Sequence, residues 1–195
     1  METTKIKIYV ATTNTGKLKE FREVLNGSGI DIESVDLKFD ELQNDDIEKI
    51  SKDKAIQAFS RLRSPVLVDD VGIYIDKYKN FPGINAKQVV ESLSLYGIKR
   101  LIDEGDRAHF LIAISYMDSS LNEPQTFFGK TEGKLSLNYR GEGERDFPFN
   151  QLFIPDGESK FVCEIPVEER KRFSHRMKAA IDFKMYILQK NAIVH

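Results

Sequence analysis

The run Val66-Leu67-Val68 leads directly into Asp69-Asp70. Three branched apolar residues ask for a short buried strand, whereas two adjacent carboxylates are costly to bury unless something neutralises them. A fold that accommodates both needs a hydrophobic sheet that delivers acidic groups to a polar or metal-holding place. A divalent cation is the usual neutraliser, and hard oxygen ligands suit Mg²⁺. Adjacent strand residues point different ways, so one Asp can face a metal while the other orients a neighbour. The plainer alternative is a polar strand end that makes caps and turns.

Hydrophobic periodicity supplies the rest of the frame. It predicts strands over 6–11 and 30–35. A helix over 17–26 carries Leu18, Phe21, Val24 and Leu25 on one face and stops at Asn26-Gly27-Ser28-Gly29. A second helix is expected over 45–63, ended by Ser64-Pro65, and a third around Val89, Val90, Leu93, Ile98, Leu101 and Ile102. After the strand that ends at Asp69-Asp70, a separate strand is expected over 73–75. The nearly continuous apolar run 110–117 reads as a central strand. Residues 126–130 and 134–138 read as two paired strands turning at Glu132-Gly133, with a short strand over 152–154 and a last helix over 174–190. The expectation is an α/β fold, a mixed twisted sheet flanked by helices, in one domain over 1–195.

With 195 residues, the chain is long enough for a hydrophobic core. Its formal net charge of −2 argues against broad salt-driven binding to nucleic acid. Cys163 is the one cysteine, so neither an intrachain disulfide nor a cysteine metal cluster is expected; a small apolar strand residue is. No apolar run approaches the ~20 residues of a membrane helix, and the polar start is unlike a signal peptide, so the expected location is the cytoplasm with no membrane partner.

Four places could carry chemistry. The turn Thr12-Thr13-Asn14-Thr15-Gly16-Lys17 joins a strand to a helix N-terminus, where backbone N–H groups and the helix dipole favour anions. Asn14 and Lys17 add an amide and a positive charge, although the Walker A pattern is absent and a simple helix cap is the alternative. Asp69-Asp70 is the second place. The third is Glu41, which could add a carboxylate to a metal held by Asp70, together with Lys54 on or beside the apolar stripe of the second helix. Lys54 either snorkels out or points into a site, and Lys52 competes with it. The fourth is Ser174-His175-Arg176. Cations at a helix N-terminus oppose the dipole, so these residues hint at an anionic or polar ligand. His109 and His195 lack ligand spacing and read as structural or solvated.

Taken in order, these pieces resemble one family. Thr12-x-Asn14-x-x-Lys17 is similar to its T-x-N-x-x-K motif, and Val68-Asp69-Asp70-x-Gly72 to its A-D-D-S-G motif. Phe81-Pro82-Gly83, Gly129-x-x-x-Gly133, Arg140-Gly141 with Phe153-x-Pro155-x-Gly157, and Ser174-His175-Arg176 follow in family order. The family is the inosine/xanthosine triphosphate pyrophosphatases, or Ham1-like proteins. The resemblance implies an elongated two-lobed form with a cleft, a homodimer, and hydrolysis of ITP, dITP or XTP to the monophosphate and pyrophosphate. It implies that Thr12, Asn14, Lys17 and Lys54 bind phosphate. Glu41 and Asp70 would bind Mg²⁺, with Asp70 as the catalytic base and Asp69 as its support. Phe147 would stack on the base, within a base site that includes Phe149, Asn150, Arg170, Ser174, His175 and Arg176.

The base loop departs from the family pattern. Asp146-Phe147-Pro148-Phe149-Asn150-Gln151 stands where the family reads approximately G-F-G-Y-D-P. Val71 replaces a usual Ser, and Arg170 stands where a base-contacting Lys is common. An amide both donates and accepts, whereas a carboxylate only accepts, so selectivity for hypoxanthine and xanthine over guanine is expected to be relaxed. Two other readings stay open: a Maf-like pyrophosphatase for other modified nucleotides, and a nucleotide-binding protein without turnover.

Overall fold

The computed structural model describes residues 6–138 and 147–192. Arg140, Gly141, Asp146 and His195 lie outside the described residues. The order of elements is β1 (Ile6–Ala11), α1 (Thr15–Leu25), β2 (Ile30–Val35), α2 (Ile47–Leu62), β3 (Val66–Ile75), β4 (Pro82–Gly83), α3 (Ala86–Lys99), β5 (Arg107–Met117), β6 (Gln125–Leu135), β7 (Phe153–Pro155) and α4 (His175–Ala192). Short 3₁₀ turns occupy Pro148–Gln151, Val162–Glu164 and Val167–Arg172. One mixed sheet pairs its strands in the order β2-β1-β3-β5-β6-β7, with β4 on β3. The expected mixed α/β sheet with helices is therefore present.

Two compact units divide the chain. The first comprises Met1–Asp70, Ile112–Gly129 and Arg176–His195; the second comprises Val71–Leu111 and Lys130–His175.

In the first unit, β1 lies parallel to β2 from Ile6↔Ile30 to Ala11↔Val35, and parallel to β3 at Tyr9↔Val66 and Val10↔Leu67. The chain winds from β1 to β2 on one side and then returns to place β3 on the other. That reversal is a switch point, and open α/β sheets bind ligands just beyond the strand ends there. Asn14 caps α1 by accepting from the Lys17 N–H at 3.1 Å. Asp46 caps α2, accepting from the N–H groups of Glu48 and Lys49. Arg63, left-handed at φ 51°, ends α2 before Ser64-Pro65. Core residues Ala55, Ala58, Val66, Val68 and Met117 pack together with Phe39, Phe59 and Leu62 at their edge. Elsewhere in the unit Phe127 of β6 meets Phe183 of α4, at 5.7 Å between rings.

The second unit packs around Ile73, Ile75, Phe110, Leu135, Phe149, Leu152 and Phe153. Its helix α3 is interrupted at Ser94, where φ is 53°.

Three expectations change. β3 does not stop at the carboxylates but continues to Ile75, so Asp69 and Asp70 lie within a ten-residue strand. Gly72 permits this, because a Cβ there would fall 2.8 Å from the carbonyl carbon of Gly83 on β4. Residues 125–135 form one strand rather than two strands around a turn. Gly133 serves packing, since a Cβ would fall 2.4 Å from the Ile154 carbonyl oxygen on the neighbouring β7. Finally, Cys163 sits in a 3₁₀ turn, not a strand.

Candidate active site

Alternation along β3 divides the two carboxylates. Asp69 meets residues of α1 and α4, and Asp70 meets α2. Asp69 is 9% exposed overall and its side chain 1%. Lys17 Nζ stands 2.8 Å from Asp69 Oδ2, and Arg176 Nε 3.5 Å from the same oxygen. Neither cation has hydrogen-bond geometry to Oδ2, so the contacts act as ion pairs. Arg176 also donates to Glu20 Oε2 at 3.3 Å. Burial alone would push the Asp69 carboxyl up, but the charges of Lys17 and Arg176 outweigh it and hold it below its ordinary value.

Asp70 has the opposite balance. Lys54 Nζ donates to its Oδ1 at 2.5 Å. Burial pushes the Asp70 carboxyl up, the neighbouring Asp69 charge adds to this, and Lys54 compensates only in part. Its buried Oδ2 has no hydrogen-bond partner among the described residues. Lys54 therefore points into the site, whereas Lys52 pairs with Glu48 at 2.8 Å.

These residues suit a hard divalent cation. Asp70 offers a buried carboxylate oxygen whose charge is poorly compensated, which a cation would correct. Among the described residues no group of three or more His, Cys, Asp or Glu could hold a metal. Mg²⁺ commonly takes one or two carboxylates and completes its shell with water and substrate phosphates, so a sparse protein donor set fits it. Glu41, on the exposed segment before α2, is a further oxygen donor of the right type.

The Thr12–Lys17 turn joins β1 to the capped start of α1. Thr12 Oγ accepts from the Asn14 N–H at 3.2 Å, and the Asn14 side-chain oxygen is spent on the helix cap. Asn14, Thr15 and Gly16 are exposed at the start of the helix.

In the second unit, His175 stacks on Phe110 at 5.4 Å and meets Thr131 Oγ through Nδ1 at 3.3 Å. The Thr131 hydroxyl donates its one proton to the Phe173 carbonyl, so it accepts from Nδ1–H of His175. Phe147 is half-buried, 5.8 Å from Phe110 and 5.9 Å from Phe149. Phe149 is wholly buried, so the base-facing ring expected there is instead a core ring. Asn150 is half-buried in the turn Pro148–Gln151. Arg170 uses its Nε on the Ile165 carbonyl at 2.8 Å. Ser174 directly precedes α4. His109 bonds Asp76 at 2.9 Å and stacks on Tyr74, a structural role as expected.

Sequence reasoning did not single out Glu20, Gln57, Phe110 or Thr131. Glu20 lies three residues after Lys17, a spacing that shares a helix face; the other three carried no local signal.

The family model of the Ham1 family matches residues 8–186. A dITP/XTP pyrophosphatase of Methanopyrus kandleri is 35% identical over 176 residues, spanning 89% of this chain and 92% of that protein. The chain belongs to the Ham1 family. Another Ham1 relative, a dITP/XTP pyrophosphatase of Saccharolobus solfataricus, is 33% identical over 93% of this chain and 94% of its own length. A HAM1 protein from Coxiella burnetii shares the fold, with a TM-score of 0.78 at 20% identity, over 94% of this chain and 99% of that one.

Proposed function

We propose that this chain hydrolyses purine nucleoside triphosphates carrying non-standard bases, ITP, dITP and XTP, to the monophosphate and pyrophosphate, and so removes deaminated purines from the nucleotide pool. The observation that carries this reading is the divided pair, Asp69 neutralised by two cations and Asp70 left with a raised carboxyl and an open oxygen, in a chain whose curated relatives bear that activity in their names.

The α-phosphorus is attacked by water, the bond to the bridging oxygen breaks, and pyrophosphate leaves. Such transfer relies on positioning and charge stabilisation. Asp70 takes the water's proton, and a carboxyl that burial raises above its ordinary value is a stronger base for that step. Asp69 is a positioning residue that holds Lys17. Lys17, Lys54, Thr12, Asn14 and the start of α1 bind the triphosphate. Asp70 and Glu41 would hold Mg²⁺, which supplies charge neutralisation on the phosphates when bound. Phe147 stacks on the base, and Asn150, Arg170, Ser174, His175 and Arg176 read its polar edge, with Arg176 shared with Asp69. Asn150 in place of an acid supports relaxed discrimination against guanine.

No helix among the described residues is long and apolar enough to cross a membrane. The protein acts in the cytoplasm as a homodimer on this reading, and light scattering tests the dimer. Pyrophosphate release from ITP, XTP, GTP and ATP with Mg²⁺ tests the activity. Asp70→Asn is expected to lower release by about 10²–10⁴-fold. Wild-type turnover in that variant, or tight ITP binding without release in the native chain, would reject the reading.

A further inference from the structure

Residues 36–46 link β2 to α2 without helix or strand. A segment of this kind must place its backbone polar groups on something other than a ladder. For Asp40 the partner is a single side chain. The Asp40 N–H donates to Gln57 Oε1 at 3.0 Å, and Gln57 Nε2 donates to the Asp40 carbonyl at 2.8 Å. Gln57 thereby meets both backbone groups of one residue, as a neighbouring strand would. The amide is fixed in turn, because Nε2 also donates to Asp53 Oδ2 at 2.7 Å. Arg61, one turn further along α2, donates to the Lys38 carbonyl, while Leu37 and Phe39 pack into the core beside Phe59 and Leu62.

Gln57 stands three residues after Lys54, which shares its helix face and holds Asp70. Three residues of α-helix advance about 4.5 Å along the axis. The same rigid helix therefore grips Asp70 with one side chain and the residue before Glu41 with the next on that face. We infer that Gln57 is a positioning residue for the metal, because it holds the Glu41 segment at a set place relative to Asp70. The inference rests on the reading of Glu41 as a metal carboxylate. Its chemistry is exacting: a carboxylate at position 57 would lack the donor for Asp40 and Asp53, and a lysine or arginine would lack the acceptor.

Gln57→Glu and Gln57→Met test it, the second removing the bonds without adding a charge beside Asp53. Mn²⁺ binding is titrated by electron paramagnetic resonance in the presence of an α,β-imido ITP analogue, and amide exchange is followed over residues 39–42. Both variants are expected to weaken Mn²⁺ binding by about tenfold, the worth of one net hydrogen bond at 1.4 kcal/mol per factor of ten. They should raise the Mg²⁺ needed for half-maximal turnover, keep kcat at saturating Mg²⁺ within about twofold, and speed exchange at Asp40. Faster exchange at Asp40 with wild-type Mn²⁺ affinity would overturn the inference. Glu41→Gln separates the two levels. If it weakens Mn²⁺ binding while both Gln57 variants do not, only the Gln57 inference falls. If Glu41→Gln itself binds Mn²⁺ as wild type does, the reading of Glu41 falls and the inference falls with it.

Discussion

Asp69→Asn and Asp70→Asn make the same chemical change at neighbouring residues, yet they are expected to differ in stability. The Asp69 side chain is 1% exposed and compensates Lys17 and Arg176, which are 23% and 12% exposed. Removing one partner of a buried ion pair costs about 3–5 kcal/mol. Glu20 still faces Arg176 at 3.3 Å, which places the loss near the lower figure. At about 2–4 °C per kcal/mol for a chain of this size, ~3 kcal/mol lowers Tm by about 6–12 °C. Asp70→Asn instead removes a charge whose burial is already unfavourable, and should shift Tm by less than about 4 °C in either direction. The pH dependence follows from the directions of the two carboxyls. Asp69 is depressed on folding, so its contribution is full above the unfolded carboxyl value of about 3.9 and fades as pH falls through its lower folded value. Asp70 is raised, so its ionised form subtracts stability above its folded value, and acid relieves that cost as pH falls toward the unfolded value. Thermal melts of both variants and the native chain, with chelator and without nucleotide, at about pH 7, about pH 4 and about pH 2.5 measure this, the Asp69 contribution being lost between the last two. The gap between native and Asp69→Asn should narrow in acid. Equal destabilisation by the two substitutions, or a gap that does not narrow, would refute the assignment of the cations to Asp69.

Gly133→Ala places a methyl 2.4 Å from the Ile154 carbonyl oxygen, and is expected to cost about 1–3 kcal/mol in urea unfolding, whereas a mere turn glycine would cost far less. Asp118, whose carboxyl burial would raise, is pulled down to about 2 by Lys190, Tyr116 and Ser120. Its contribution should hold above about pH 4 and disappear as pH falls toward 2, so urea midpoints of Asp118→Asn and native protein should converge in that window. Asn150→Asp should raise the ITP-to-GTP ratio of kcat/KM by about tenfold, the worth of one hydrogen bond, and an unchanged ratio would remove Asn150 from base reading. Chelation of Mg²⁺ should abolish pyrophosphate release from ITP.

Much of the first unit was legible because its signals are local. The bounds of β1 and β2 coincide with their apolar or alternating segments, and α1 and α2 start directly after the caps Asn14 and Asp46 and end before Gly27 and Pro65. The errors arose where a residue type has two physical uses. Gly133 signals a turn by composition, but in the fold it makes room for β7. Asp69 and Asp70 read as a strand terminus, because nothing nearby in sequence shows that Gly72 can run against Gly83 and let the strand continue. Phe149 looks like a ligand-facing aromatic until the core around Leu152 and Phe153 encloses it. Partners distant in sequence were the least visible: Arg176 reaches Glu20 across 156 positions, and Gln57 reaches Asp40 across 17.

The placement of Asp69 and Asp70 within a continuing strand makes their difference one of parity. The two side chains are chemically identical, so exchanging them would leave the sequence unchanged; only odd or even position along the pleat tells them apart. A single-residue insertion or deletion earlier in β3 would reverse that parity and turn each carboxylate to the opposite face of the sheet, with both carboxylates retained. A comparison of composition alone would miss such a change, while the two carboxylates would have exchanged the faces of the sheet on which they stand.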